Sequence, residues 1–259
     1  MYSVYPESMD RAQEDSGKGI RTIFFDAGGT LIHLDAARIA ELLGDQFGIA
    51  AALEKFPQAQ SLAMRCVGQL VAEGAGSTER LKREFYSVLL PEIGVPASQL
   101  HQAIDEVLRL AESEMLWRMV RPETATLLGE LRALGYQLAV VSNSDGRIEK
   151  AFVEAGLHRH FDFFIDSFLV GVEKPDPRIF HLALDRAGVA AEAAAYVGDL
   201  YAVDIVGARR AGLLPVLYDP QHLHADADCL RIHALSDLLA VIRSNAGLQP
   251  PSADSRGFA

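Results

Sequence analysis

Downstream of Val120 the chain alternates between two hydrophobic periods, and this alternation restricts the fold more than any other feature of the sequence. Helical patterns over 123–134, 146–155, 177–187 and 201–211 stop at Gly135, Gly156, Gly188 and Gly212, the residue type that most readily closes a helix. Short apolar runs at 137–141, 161–165, 194–197 and 213–217 follow them, and a helix over 235–243 comes last. Strands that alternate with helices pack as a parallel sheet joined by right-handed crossovers. Upstream, Thr22-Ile23-Phe24-Phe25 reads as one more buried strand, ending at Asp26 and the Gly28-Gly29 turn. From Ala36 to about Trp117 the period is helical, with Ile39, Leu42, Leu43 and Phe47 on one face and Ile104, Val107, Leu108 and Ala111 on another. The predicted organisation is an α/β unit formed by 20–35 and 119–245, a helical block over 36–118 inserted after the first strand, and mobile tails at 1–19 and 246–259.

Composition excludes several classes. Hydrophobic residues make up 49% and charged residues 23%, which argues against a disordered chain, a collagen-like repeat or a coiled coil. No apolar run is long enough to predict a membrane span, and the polar first nineteen residues predict no secretory leader. The formal charge of −11 opposes nucleic acid and anionic membranes. It also opposes phosphorylated metabolites, so a site for them requires local cations or a bound metal. Two cysteines, Cys66 and Cys229, make no disulfide framework, and a cytoplasmic setting is expected.

In open parallel sheets ligands gather at the carboxyl ends of the strands. Asp26, Ser142-Asn143 and Gly198-Asp199 stand at those ends, with Lys174 nearby. Taken singly, each has an ordinary reading as a turn or surface residue. Four segments occur in order: Phe24-Phe25-Asp26-Ala27-Gly28-Gly29-Thr30-Leu31, Val140-Val141-Ser142-Asn143-Ser144, Gly171-Val172-Glu173-Lys174-Pro175-Asp176-Pro177, and Val197-Gly198-Asp199 with Asp204 five residues on. Together they resemble the haloacid dehalogenase (HAD) superfamily of hydrolases with an α-helical cap, over roughly residues 20–245. The resemblance implies a Rossmann-like parallel sheet under a cap formed by the inserted helices.

It also implies a chemistry. Asp26 would attack a phosphoryl group and carry it as an aspartyl-phosphate. Mg²⁺ would be held by Asp26, the Gly28 carbonyl and Asp199, with Asp204 orienting its waters. Ser142 would bind a phosphoryl oxygen and Lys174 would neutralise charge, while Asn143, Gly29 and Thr30 would lie against the substrate. The implied partner is a small phosphorylated molecule.

One position departs from the pattern. Phosphatases of this superfamily carry Asp-x-Asp-Gly-Thr, whereas this chain has Asp26-Ala27-Gly28-Gly29-Thr30. The second Asp is a general acid/base, and such a group contributes about 10²–10⁴-fold. Three readings stay open. The first is a Mg²⁺-dependent phosphohydrolase that favours leaving groups needing little protonation, with His33 and Asp35 as nearby candidate substitutes. The second is a carbon-centred hydrolase of the haloacid dehalogenase or phosphonatase kind. Halide departs without a proton, but the acidic Asp199 and Asp204 do not suit a metal-free site. The phosphonatase variant needs a cap lysine, for which Lys55 and Lys82 are available. The third is a weakly active or non-catalytic binding protein.

Three further clusters have ordinary readings. His222, His224, Asp226, Asp228 and Cys229 match no zinc spacing and read as a polar loop. His158 and His160 read as loop residues, and Arg109, Arg118 and Arg121 as surface residues. Asp176 and Pro177 read as the N-cap and first turn of a helix.

Overall fold

The structure is a computed structural model that describes residues 19–74 and 78–245. Of the tails predicted at 1–19 and 246–259, all but Gly19 lies outside the described residues. A parallel sheet of six strands organises the chain. The strands are β1 (Thr22–Phe25), β4 (Gln137–Ser142), β5 (Phe163–Asp166), β6 (Ala194–Gly198), β7 (Leu214–Tyr218) and β8 (Leu230–Ile232), in the spatial order β5-β4-β1-β6-β7-β8. The first strand thus lies at the centre, with β4 and β6 in register on either side, Phe25 opposite both Val140 and Val197. This is where the order of connection reverses, and it opens a crevice above the strand ends.

Successive side chains of β1 point to opposite faces. Ile23 and Phe25 join a core with Leu128 and Leu131 of α5 (Pro122–Ala133) and Leu238 and Ile242 of α10 (Leu238–Asn245). Phe24 packs on the other face with Ile179 and Phe180 of α8 (Pro177–Ala187) and Ala208 of α9 (Val206–Arg210). Both faces are covered by helices, which explains why the strands read as continuous apolar runs. Helix α8 starts as the sequence predicts: the Asp176 carboxylate accepts from Arg178 N at 2.9 Å, with Pro177 in the first turn.

Between a short strand β2 (His33–Leu34) and β3 (Trp117–Met119) run α1 (Ala36–Phe47), α2 (Phe56–Ala72), α3 (Thr78–Glu92) and α4 (Leu100–Ser113). These helices share a separate apolar cluster that includes Ile39, Leu43, Phe56, Leu89 and Val107.

Four local predictions are corrected. Trp117 does not end a helix; it opens β3, which pairs antiparallel with β2. Leu230–Ile232 adds a sixth strand too short to announce itself, so 213–217 is not the last. Strand β5 begins at Phe163 rather than Phe161. The helix predicted over 201–211 begins with a π-helical turn, Tyr201–Ile205, before α9. That turn accompanies the inward placement of Asp204, whose side chain is fully buried.

The β2–β3 ribbon is pinned by polar groups. Asp35 caps α1, accepting from Arg38 N at 3.0 Å, and pairs with Arg118 at 2.7 Å. Gln60 of α2 accepts from Leu34 N at 3.2 Å and lies 3.3 Å from His33 Nδ1. Burial, with Arg121 nearby, pushes the His33 imidazole down to about 3. His33 and Asp35 therefore hold the junction, and neither lines the cavity described next.

Candidate active site

The crevice holds a cavity of about 630 Å³. Its floor is made by strand ends and their loops: Asp26, Gly28, Ser142, Asn143 and Lys174. Its walls come from the helical block and β3.

Asp26 follows β1 directly and its N–H donates to Val197 O at 2.8 Å, so the sheet itself sets its position. Lys174 Nζ donates to Asp26 Oδ1 at 2.6 Å, to Asp204 Oδ1 at 2.7 Å and to Tyr196 Oη at 2.8 Å. An ammonium has three donors, and all three are used. Tyr196 in turn donates to Val141 O at 2.8 Å, and Asp204 Oδ2 accepts from Leu200 N at 2.9 Å. Lys174 is 2% exposed, so this is a buried network and not a surface ion pair. Tyr196 is the residue that sequence reading missed. A tyrosine inside an otherwise apolar strand needs a partner for its hydroxyl, and that was the available signal.

The charges do not balance. Asp26, Asp199 and Asp204 each present a carboxylate oxygen within 4.8 Å of the others, facing the ammonium of Lys174. Burial raises Asp26 to about 6; Lys174 opposes that rise and Asp204 adds to it. Burial also pushes Asp199 well above the ordinary carboxylate range, with Asp26 and Asp204 adding to it. Burial works against the Lys174 ammonium, but Asp204 and Asp26 outweigh it and hold the group above its usual value. Asp199 Oδ1 is buried with no hydrogen-bond partner. An orphaned carboxylate oxygen beside two other carboxylates is a donor set suited to a divalent cation.

The turn after β1 is shaped for this cluster. Gly29 has φ +91°, and a Cβ there would lie 2.2 Å from Asp199 Oδ2. Glycine is required on both counts. Gly29 N–H donates to Ile32 O at 2.8 Å, and the residue has no other polar donor to offer a substrate. Thr30 Oγ1 lies 3.5 Å from Asp26 Oδ2, beneath the turn. The Asn143 amide is committed to the neighbouring loop: its oxygen accepts from Lys174 N at 2.8 Å and its Nδ2 donates to Lys174 O at 2.9 Å. Asn143 thus sets the backbone that carries Lys174. Ser142, 4% exposed, ends β4 and lines the floor.

At Gly28, a Cβ would lie 3.3 Å from the ring of Trp117. The space a side chain would enter at this position is bordered by an indole, which packs in turn on Phe85 with ring centroids 5.9 Å apart. Residue 28 lacks an acid, and the side on which its Cβ would stand is aromatic.

The other sequence candidates lie elsewhere. Arg109 pairs with Glu106, Arg118 with Asp35, and Arg121 sits over the Tyr218 ring at 5.8 Å. Lys82 lines the cavity rim, 4.0 Å from Asp145, whereas Lys55 does not line it. His158 stacks on Phe164 and pairs with Glu149. His222 stacks on His233 at 3.8 Å, and Asp228 binds Arg209 and Tyr201. Among the described residues only Asp26, Asp199 and Asp204 form a cluster able to hold a metal.

A carboxylate and an ammonium facing a cavity at the switch point of a parallel sheet mark the ligand site of an α/β fold. The chain belongs to the haloacid dehalogenase-like hydrolases, whose family pattern matches residues 20–212. It is 42% identical over 121 residues to haloacid dehalogenase-like hydrolase domain-containing protein 3 of Mus musculus, a match covering 46% of this chain and 48% of that protein. The match thus spans about half the length of that relative. It is 29% identical over 212 residues to a glyceraldehyde 3-phosphate phosphatase of Methanothermobacter thermautotrophicus, covering 81% of this chain and 90% of that one. The HAD-hydrolase YfnB of Bacillus subtilis shares the fold, with a TM-score of 0.63 at 22% identity over 86% of this chain and 99% of that one.

Proposed function

We propose that the chain hydrolyses a small phosphorylated molecule, with Asp26 as nucleophile. The observation that carries this is the triad Asp26–Lys174–Asp204 beside the orphaned Asp199 Oδ1, with Asp26 and Asp199 directly after β1 and β6. The relative named glyceraldehyde 3-phosphate phosphatase supports a phosphoryl substrate. The carboxylate cluster argues against a haloacid, whose own carboxylate would meet like charge.

In this reading the ionised Asp26 attacks phosphorus, forming an acyl phosphate as the bond to the leaving oxygen breaks. Lys174 holds Asp26 in place and offsets the negative charge that gathers on the phosphoryl oxygens. Water then attacks phosphorus, and the Asp26 carboxylate departs with inorganic phosphate as product. Asp26, the Gly28 carbonyl and Asp199 would hold Mg²⁺, which supplies positive charge to the phosphoryl oxygens when bound. Asp204, held by Lys174 and Leu200 N, would orient the waters of that ion. Ser142 offers its hydroxyl to a phosphoryl oxygen. Asn143 and Gly29 are positioning residues. The helices over 36–118 serve as the cap that closes on the substrate and excludes water. The unbridged Cys66 and Cys229 accord with a cytoplasmic setting.

The test is phosphate release from a panel of acyl, aryl and alkyl phosphates, with Mg²⁺ or with EDTA. Release that requires Mg²⁺ is expected, fastest for acyl and aryl phosphates, whose leaving groups need little help from an acid. Equal release in EDTA would remove the metal from the reading, and no release from any substrate would overturn it.

The neighbour of Gly28 shapes a second prediction. Gly28→Asp alone is expected to give little gain on alkyl phosphates, because its Cβ meets the Trp117 ring at 3.3 Å. Gly28→Asp combined with Trp117→Leu is expected to raise alkyl phosphate turnover by about tenfold or more over either single variant. Steady-state kinetics of the four proteins checks this; strictly additive effects would count against steric coupling.

A further inference from the structure

The cavity's two halves differ in chemistry. Its floor is ionic, whereas its walls are apolar: Met64 and Val67 from α2, Phe85 from α3, Leu108 from α4 and Trp117 from β3. The cations that line it are already paired. Lys174 is bound by Asp26 and Asp204, Arg147 binds Asp145 at 2.7 Å, and Lys82 stands 4.0 Å from the same carboxylate. Glu79, Glu112 and Glu173 add negative charge to the lining. A carboxylate or second phosphate on the substrate would find no free cation there. The hydroxyls of a sugar would leave water without gaining partners along the surface formed by Met64, Val67, Phe85, Leu108 and Trp117, which is unfavourable. The indole of Trp117 borders Gly28, beside the floor from which a leaving group must depart.

We propose that this site selects phosphate esters whose leaving group carries an uncharged aromatic body, seated between Trp117 and the apolar faces of α2 to α4. The proposal rests on the phosphohydrolase reading for its turnover and on the cavity walls alone for its selectivity. An aromatic body loses little by leaving water, gains contact with Trp117 and Phe85, and needs no cation. The site would thus turn away small polar substrates of the kind named for the archaeal relative.

Trp117 is the only tryptophan of the chain, so its fluorescence reports directly on this wall. The probes are methylphosphonate, 2-carboxyethylphosphonate, benzylphosphonate and 2-naphthylmethylphosphonate, none of which can be hydrolysed, titrated into the full chain with Mg²⁺. The naphthyl compound is expected to bind about tenfold more tightly than the benzyl compound and to change Trp117 emission. Tenfold corresponds to about 1.4 kcal/mol, the scale of burying the extra ring. The carboxyethyl compound is expected to bind no better than methylphosphonate. Met64→Gln is expected to lower naphthyl affinity toward the benzyl value, and Met64→Leu to restore it.

A carboxyethyl compound that binds as tightly as the naphthyl one would overturn the proposal. So would calorimetric binding of the naphthyl compound without a change in Trp117 emission, or no binding of any phosphonate. A turnover arm compares benzyl phosphate with glycerol 3-phosphate, both alkyl esters with poor leaving groups. A kcat/KM for glycerol 3-phosphate equal to or above that for benzyl phosphate would overturn the selectivity and leave the phosphohydrolase reading intact. Phosphonates that bind in the expected order, with no phosphate released from any ester, would overturn the phosphohydrolase reading and support the selectivity.

Discussion

Asp26→Asn is expected to lose phosphate release by about 10⁵–10⁶-fold, the scale seen when a nucleophile is removed from an enzyme, and yet to be more stable than the parent at neutral pH. Burial, with Asp204 adding to it, raises the Asp26 carboxyl to about 6 in the folded chain, against an ordinary value of 3.8. Between those values the folded state binds more protons than the unfolded state, so stability falls as pH rises through that window. Above about pH 6 the full penalty is present, on the order of 3 kcal/mol at about 1.4 kcal/mol per pKa unit. Asparagine has nearly the same volume and no charge, so it escapes the penalty. Urea unfolding in EDTA should show the variant ahead of the parent at pH 8, with the gap closing toward pH 4. A variant less stable than the parent at pH 8 would mean that Asp26 contributes more through Lys174 than it loses by burial beside other carboxylates. A variant that still releases phosphate at the parental rate would remove Asp26 from the chemistry.

Lys174→Met is expected to act in the opposite direction on stability. It leaves Asp26 and Asp204 buried without their ammonium and deprives Tyr196 of its donor. Breaking a buried pair by removing one partner costs about 3–5 kcal/mol. Turnover should fall with it, because nothing else on the cavity floor carries positive charge. Mg²⁺ should recover more stability in Lys174→Met than in the parent, since the carboxylates then rely on it alone. Denaturant unfolding with and without Mg²⁺ reads both effects. A loss below about 1 kcal/mol would place this network in the class of exposed ion pairs.

Much of the fold was legible because its signals are local. The strand at Thr22–Phe25, the helix capped by Asp176 and started by Pro177, and the order of strands and helices after Val120 all follow from apolar period and from glycine and proline placement. The failures are equally physical. Leu230–Ile232 is too short for a period to show, and it forms a strand because Tyr218 and its neighbours offer a free sheet edge. Trp117 continues an apolar pattern begun in α4, yet pairing with Leu34 draws it into a strand.

At the site, the residue types that carry charge were legible and their assignments were not. Asp26, Ser142, Lys174 and Asp199 stood out because ionisable or polar residues follow apolar strands or lie close to them. That Asn143 serves the Lys174 backbone, that Gly29 N–H is used within its own turn, and that Tyr196 completes the ammonium's partners depend on groups brought from distant segments. Lys174 and Asp26 are 148 residues apart in the chain. What the sequence by itself determined is the parallel α/β unit, the helical insertion after its first strand and the charged residues at its strand ends, since each follows from local period, capping and composition. Only the tertiary structure decided that Asp26 and Asp204 share one ammonium, that Asp199 keeps an unpartnered oxygen, and that an indole borders Gly28. Pairing, desolvation and contact depend on distances across the fold, and no local pattern in a chain encodes them.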